Sequence, residues 1–470
     1  MILALLLACG DKADTATETP DTTAPPADTA VDETTADTAV VAERGPLALL
    51  RIADATDTDP SDDVVHVALS AAPHTHTFED VDGTVHTVEG YAYNGTTPGP
   101  TIRAKLGDTI VVDFSNDLDE PSTIHWHGLD VPYAMDGVTW SSAPIEPGEG
   151  FTYTFTVEQA GTFWYHPHFN SDDQVSGGLY GAIVIEDPVD PAVDDDLLLV
   201  IDDWPLGGAA PGHDHLAVEG TWTVNGQIQP TLTAAGGSAL RVRTINVSNL
   251  GYLDLSTPDI RHIGTDQGIA AALAQPDSIV LSPGDRAGLE WLIGADGFTL
   301  EDRPYAHQGG SAWGDPQSLM DVVVTDPTTA PTGRDWPFSG EAPTADPGRT
   351  DITYVFSGAR ESGVWLMNGE VFPDVAIGEA DLGDEVIIEV RNLSPAEHPY
   401  HLHGMAFEVL SVDGVPPGAR QIEDTINVGV YGTVRLRLVA DNPGDWMSHC
   451  HILPHAEGGM MTVLRVNLPK

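Results

Sequence analysis

Eighteen histidines in 470 residues are not scattered along this chain. Six His-x-His pairs occur, at 74/76, 125/127, 166/168, 213/215, 401/403 and 449/451. Random placement would give about one such pair, so the excess points to metal ligation. Four pairs share a setting: Ile124-His-Trp-His-Gly128, Trp164-Tyr-His-Pro-His168, His398-Pro-Tyr-His-Leu-His-Gly404 and Trp446-Met-Ser-His-Cys-His-Ile-Leu-Pro-His455. Each sits in or beside an apolar, strand-like segment. Residues i and i+2 of a strand face the same way. His125 and His127 therefore project together while Trp126 packs behind, and the same holds for 166/168, 401/403 and 449/451. Brought face to face, the four pairs offer eight imidazoles to one site. So many buried imidazoles need partners, and metal ions supply them.

Cys450 lies between His449 and His451, so its sulfur points to the opposite face, into its own domain. There it can meet His398, His455 and Met460. One thiolate, two imidazoles and a thioether are the ligand set of a blue electron-transfer copper. The bland alternative is a buried free cysteine and a core methionine. The pairs 74/76 and 213/215 lack the apolar framing and read as solvated loop histidines. The two cysteines, Cys9 and Cys450, each have a local explanation, so no disulfide framework is expected.

The elements that must position these residues look all-β. Thr109–Phe114, Phe151–Val157, Ala182–Ile185 and Val386–Val390 are β-branched or alternate apolar with polar. Turns such as Ala143-Pro-Ile-Glu-Pro-Gly148 and Leu281-Ser-Pro-Gly-Asp285 punctuate them at short spacing, as in β-sandwiches. A weak repeat relates Leu106-Gly-Asp-Thr-Ile-Val-Val-Asp-Phe-Ser-Asn116 to Leu382-Gly-Asp-Glu-Val-Ile-Ile-Glu-Val-Arg-Asn392, with Ser238–Asn246 as the middle equivalent. The acidic, Pro-containing stretches 186–195 and 327–349 read as linkers. Three sandwiches are predicted, over 62–188, 195–328 and 348–470.

Asp and Glu number 72 against 19 Lys and Arg, a formal charge of -53. No basic field exists to hold phosphate backbones, which excludes nucleic acid as a partner. No run of about 20 apolar residues exists, so no membrane-spanning helix is predicted. The sequence Met1-Ile-Leu-Ala-Leu-Leu-Leu-Ala-Cys9 resembles a bacterial lipoprotein signal, with Cys9 as the lipidated residue. Behind it, residues 10–61 are rich in Thr, Asp and Pro and are expected to be a disordered acidic tether. These features together predict an envelope lipoprotein, on the periplasmic or outer face.

The four histidine motifs are similar to the copper signatures of three-domain multicopper oxidases, the bacterial laccases and copper-efflux oxidases. Asp136-Gly-Val-Thr-Trp140, Gly161-Thr-Phe-Trp-Tyr165, Gly178-Leu-Tyr-Gly181 and Val224-Asn-Gly226 extend the resemblance, which covers about residue 62 to the end. It implies three cupredoxin-like Greek-key domains and four coppers per chain. Type 1 copper would be held by His398, Cys450, His455 and axial Met460, and type 2 by His125 and His401. One type 3 copper would take His127, His166 and His451, the other His168, His403 and His449. The implied activity is one-electron oxidation of a phenol or aromatic amine at type 1 copper, coupled to reduction of O₂ to water at the trinuclear cluster. Electrons would enter the cluster through Cys450, His449 and His451. The resemblance further implies a monomer, with O₂ and a small reductant or metal ion as its partners.

Asp136 matches the family's acid near the type 2 water, a proton-relay role, although an Asp before Gly137 also suits a plain turn. Many relatives carry an acid directly after the second type 1 histidine. This chain has Ala456 there, and Glu457 is the substitute candidate. Only eight methionines are present and no Met-rich insert, which argues against a dedicated cuprous oxidase. A metallo-oxidase for Cu(I), Fe(II) or Mn(II) is the alternative within catalysis, since an acidic surface concentrates cations. A non-catalytic copper-binding envelope protein is the alternative of another class, and all twelve ligands being present argues against it. Length and the four paired motifs argue against a two-domain nitrite reductase.

Overall fold

A computed structural model describes residues 50–206, 220–306, 315–359 and 363–468. Cys9, His213 and His215 lie outside the described residues. The strands assemble into three pairs of sheets. In the first pair, one sheet runs Val85–Tyr93, Val64–Glu79, Thr109–Asn116, Gly150–Thr156, and the other Gly99–Lys105, Gly181–Glu186, Gly161–His166, His125–His127. The middle pair is built from strands between Asp195 and Thr325, the last from strands between Ile352 and Asn467.

The three pairs repeat one plan, because the same sequence pattern recurs. Thr109–Asn116 lies parallel to Val64–Glu79, Ala239–Asn246 to Asp195–Trp204, and Glu385–Asn392 to Ile352–Ala359. Ile110, Val112 and Phe114 alternate inward while Asp113 faces solvent, as period-2 patterning requires. Each of these strands ends on a buried asparagine, Asn116, Asn246 or Asn392. The three side-chain amides each donate to at least two backbone carbonyls in loops or at strand ends, for instance Asn116 to Glu120 O at 2.9 Å and Ile145 O at 2.8 Å. Buried loop carbonyls that a sheet cannot satisfy are paired in this way.

Two expectations need correction. Residues 50–61 belong to the packed molecule. Leu50 is buried in the core of the middle sandwich, and Asn225 Nδ2 donates to its carbonyl at 2.7 Å. Ala55 N–H donates to Thr101 O at 2.7 Å, and Arg51 pairs with Asp195. Leu50 and Ile52 are the apolar anchors of this stretch. The 74/76 pair is not on a solvated loop. Both residues lie in the strand Val64–Glu79, where His76 is buried against Trp204 and hydrogen-bonds Gly177 O at 2.9 Å. The Pro-containing linker 327–349 is packed onto the sandwiches: Trp336 is buried under Arg241, and Thr344 N–H donates to Glu408.

Candidate metal centre

The second sheets of the first and last sandwiches carry the histidines. His125–His127 pairs antiparallel with Gly161–His166, placing His125 opposite His166. His398–Leu402 pairs with Gly444–Cys450, placing His401 opposite His449 and Tyr400 opposite Cys450. Strand alternation then sends Trp126 back onto Tyr153 and Phe155, and Cys450 back into the core of the last sandwich. Every residue of Gly161–His166 and of His398–Leu402 is buried, because these two sheets face each other rather than solvent.

The apposition brings all eight paired histidines together. His125 stacks on His403 and His127 on His401, each with ring centroids 3.8 Å apart. Nε2 of His449 lies 3.0 Å from Nε2 of His403 and 3.4 Å from Nε2 of His168. Most of these rings have one nitrogen tied down. His125 Nδ1–H donates to Asp136 O at 3.0 Å, His166 Nδ1–H to Pro167 O at 3.0 Å, His401 Nδ1–H to Asp424 O at 3.0 Å, and His449 Nδ1–H to Cys450 O at 2.9 Å. His127 is held through Nε2 instead, by Thr425 and Asp424, both at 3.0 Å. The opposite nitrogens have no protein partner: Nε2 of His125, His166 and His401, Nδ1 of His127, and both nitrogens of His451. A buried polar atom left unpaired costs about 1–3 kcal/mol. Several lone pairs converging on one dry space fit metal ions, with the anchored nitrogen fixing each tautomer.

The second set is smaller and lies within one sandwich. Cys450 Sγ is 3.5 Å from His398 Nδ1 and 3.8 Å from His455 Nδ1, and those two nitrogens are 3.2 Å apart. Met460 is fully buried in the same core cluster. Its backbone carbonyl accepts from Cys450 N–H at 3.1 Å, and its N–H donates to His455 O at 3.0 Å. Ser394 Oγ is 2.7 Å from His398 Nε2, and Trp365 lies over His455 with ring centroids 3.7 Å apart.

Sequence comparison agrees with this arrangement. Family models described as multicopper oxidase match residues 76–190 and 343–469. The multicopper oxidase MmcO of Mycobacterium tuberculosis is 30% identical, over 80% of this chain and 83% of its own. The chain belongs to the multicopper oxidase family. Laccase-1 of Trametes villosa is 28% identical over 80% of this chain and 86% of its own length. Among solved structures, a multicopper oxidase of Pseudomonas thermotolerans superimposes with a TM-score of 0.75 at 30% identity, covering 87% of this chain and all of that one. A Campylobacter jejuni multicopper oxidase described as a metallo-oxidase gives 0.75 at 26% identity, covering 89% of this chain and 94% of that one. Multicopper oxidases use copper, and both ligand sets of this one have the donor types copper takes.

Electrostatics in this multicopper oxidase favour neutral ligands. Burial and neighbouring imidazoles hold His127, His166, His168, His403 and His451 well below the usual histidine range. Burial pushes His398 and His449 down to about 3 and raises the Cys450 thiol well above its ordinary value. Two buried acids serve the rings. The Asp136 carboxylate lies 3.2 Å from His125 Nδ1 and 3.1 Å from His403 Nδ1. Gly137 makes this approach possible: its φ is +73°, and a Cβ there would stand 1.7 Å from Ile124 O. Asp424 is the acid that sequence reasoning missed. It touches His127 and His401, and although burial opposes its charge, the Arg286 guanidinium holds it well below the carboxylate range. Its run Ile422-Glu-Asp424-Thr425 reads as an ordinary polar edge, and only the tertiary fold reveals it. Glu457 is placed elsewhere. Its carboxylate accepts from Ser171 Oγ–H at 3.1 Å and Asp172 N–H at 3.0 Å, and none of its hydrogen bonds among the described residues goes to a histidine.

Proposed function

We propose that this multicopper oxidase takes single electrons from a small reductant of the phenol or aromatic amine type and passes them to O₂, forming water. The observation that carries this reading is the set of unpartnered imidazole nitrogens, reached by one strand from Cys450. His398, Cys450, His455 and Met460 would hold a type 1 copper, and His125 and His401 a type 2 copper. His127, His166 and His451 would hold one type 3 copper, and His168, His403 and His449 the other. Copper at these places supplies one-electron acceptance at the first set and four-electron reduction of O₂ at the second. Cys450 is bonded through the backbone to both His449 and His451, so a single short covalent path joins the two sets. Asp136, buried between His125 of the first sandwich and His403 of the third, is our candidate for the proton relay to this centre. The test is copper-loaded protein. We expect about four coppers per chain, an intense thiolate band, and turnover of phenols faster than of metal ions. A colourless protein at full copper loading sinks the reading.

A second reading, oxidation of Cu(I), Fe(II) or Mn(II), is favoured by the charge of -53, which concentrates cations at the surface. The Campylobacter jejuni neighbour is described as a metallo-oxidase, and the iron transport multicopper oxidase of Epichloe festucae is 26% identical. The same substrate panel decides between the two. For location, we propose lipidation at Cys9 and an envelope position. Cys9→Ser in the native host should shift the protein out of the membrane fraction, and an unchanged distribution contradicts the anchor.

A further inference from the structure

The middle sandwich supplies no histidine to either set, yet it reaches the eight-histidine set through Arg286, beside which Gln267 Nε2 donates to Asp424 Oδ2 at 2.6 Å and Asp266 accepts from Thr425 N–H at 3.1 Å. Arg286 is fully buried and follows the turn Ser282-Pro-Gly-Asp285. Asp285 closes that turn by accepting from Ser282 N–H at 2.7 Å and Oγ–H at 2.6 Å. Gly284 of the turn lies against a ligand ring, since a Cβ there would stand 2.9 Å from His451 Cγ.

All five guanidinium N–H donors of Arg286 are used, and they reach all three sandwiches. Nε donates to Thr162 O of the first at 3.1 Å. Two more go to backbone carbonyls of the middle one, Gly284 at 3.2 Å and Asp266 at 3.1 Å. The last two form a bidentate pair with Asp424 of the third: Nη1 to Oδ1 at 2.7 Å, and Nη2 to Oδ2. Asp424 in turn holds His127 Nε2 with its carboxylate and His401 Nδ1 with its carbonyl. The nitrogens left over, His127 Nδ1 and His401 Nε2, are two of the unpartnered ones.

We propose that Arg286 is a positioning residue for the eight-histidine centre: its planar fork fixes Asp424, and through it the rings of His127 and His401, only when all three sandwiches are docked. This rests on the copper reading above. A lysine cannot reproduce it, because a point charge has neither the fork nor five donors. The competing explanation is that Arg286 merely glues domains. Arg243 separates the two ideas. It is equally buried and joins the middle sandwich to the first through Asp196 of its own domain and Thr162, but none of its hydrogen bonds reaches Asp424.

The experiment compares copper-loaded Arg286→Met, Arg286→Lys and Arg243→Met with the parent chain. Type 2 copper is followed by its paramagnetic signal during chelator titration, and type 1 copper by the blue band. For both Arg286 variants we expect type 2 affinity to fall about 10- to 100-fold, with the blue band per chain retained. Arg243→Met should keep both signals. An Arg286→Met chain with an unaltered type 2 signal and parental affinity overturns the proposal. If that variant does not fold, Arg286→Lys decides on the same criterion. Equal loss in Arg243→Met also overturns it, in favour of domain glue. A parent chain without any type 2 signal defeats the copper reading itself, which is visible before any substitution is made.

Discussion

The two ligand sets differ in what they depend on. The Cys450 set sits inside one sandwich, where His398, Cys450 and His455 come from one sheet and the short helix Leu453–Glu457 beside it. It is embedded in that domain's core beside Tyr400 and Trp446, with Tyr252 of the middle sandwich in the same cluster. The eight-histidine set is shared. Four rings come from the first sandwich and four from the third, and four of the eight, His125, His127, His401 and His403, touch acids that bridge the interface. Asp136 belongs to the first sandwich yet touches His403 of the third, while Asp424 belongs to the third yet touches His127 of the first. One site is therefore a product of folding, and the other a product of docking.

The strongest test of this contrast is Cys450→Ser. It should abolish the blue band and bring oxidase activity to background, while copper bound by the eight histidines stays measurable by metal analysis. Retained turnover would show that electrons do not enter through the sulfur. Asp136→Asn acts on the shared site. Turnover should fall about 10- to 100-fold while the blue band is unchanged, and a parental steady-state rate would remove Asp136 from the mechanism.

A third test uses pH. His398 and His449 are held near 3 by burial, against 6.5 for a solvated ring. Between those values the unfolded chain binds more protons than the folded one, so stability rises with pH there. The copper-free protein should lose stability as pH falls from about 6.5 toward 3. Above about pH 7.5 these two groups should make no difference. One of the two rings belongs to each set, so urea midpoints that stay flat from pH 7 to 4.5 would contradict neutral burial at both. The smallest effect is expected at the exposed Glu457 clasp. Glu457→Ala should cost about 1 kcal/mol of stability and little activity. A loss of turnover larger than tenfold at unchanged stability would instead place Glu457 in proton delivery.

Much of this was legible in the chain, for a local reason. The candidate ligands come as i, i+2 pairs in strands or at their ends, and strand geometry alone sends His125 and His127 one way and Trp126 the other. The Cys450 set is similarly compact, since Cys450, His455 and Met460 fall within eleven residues. The repeated strands ending in Asn116, Asn246 and Asn392 exposed the threefold plan, because an identical loop problem draws an identical residue. His76 was misread because a 16-residue strand gives its polar stretch no apolar frame, and its burial depends on Trp204 from another sandwich.

What the sequence by itself determined, then, is the chemistry of the donors and the face each donor takes, since both follow from residue type and a period of two. Only the tertiary structure decided which donors share a centre and which acids orient them. Asp136 and Asp424 are far from the rings they serve along the chain, and an aspartate before a glycine or in an acidic run looks the same whether it faces solvent or a buried imidazole. That choice is made by the close approach of three sandwiches, which buries each carboxylate between a histidine of its own domain and one of the opposite domain.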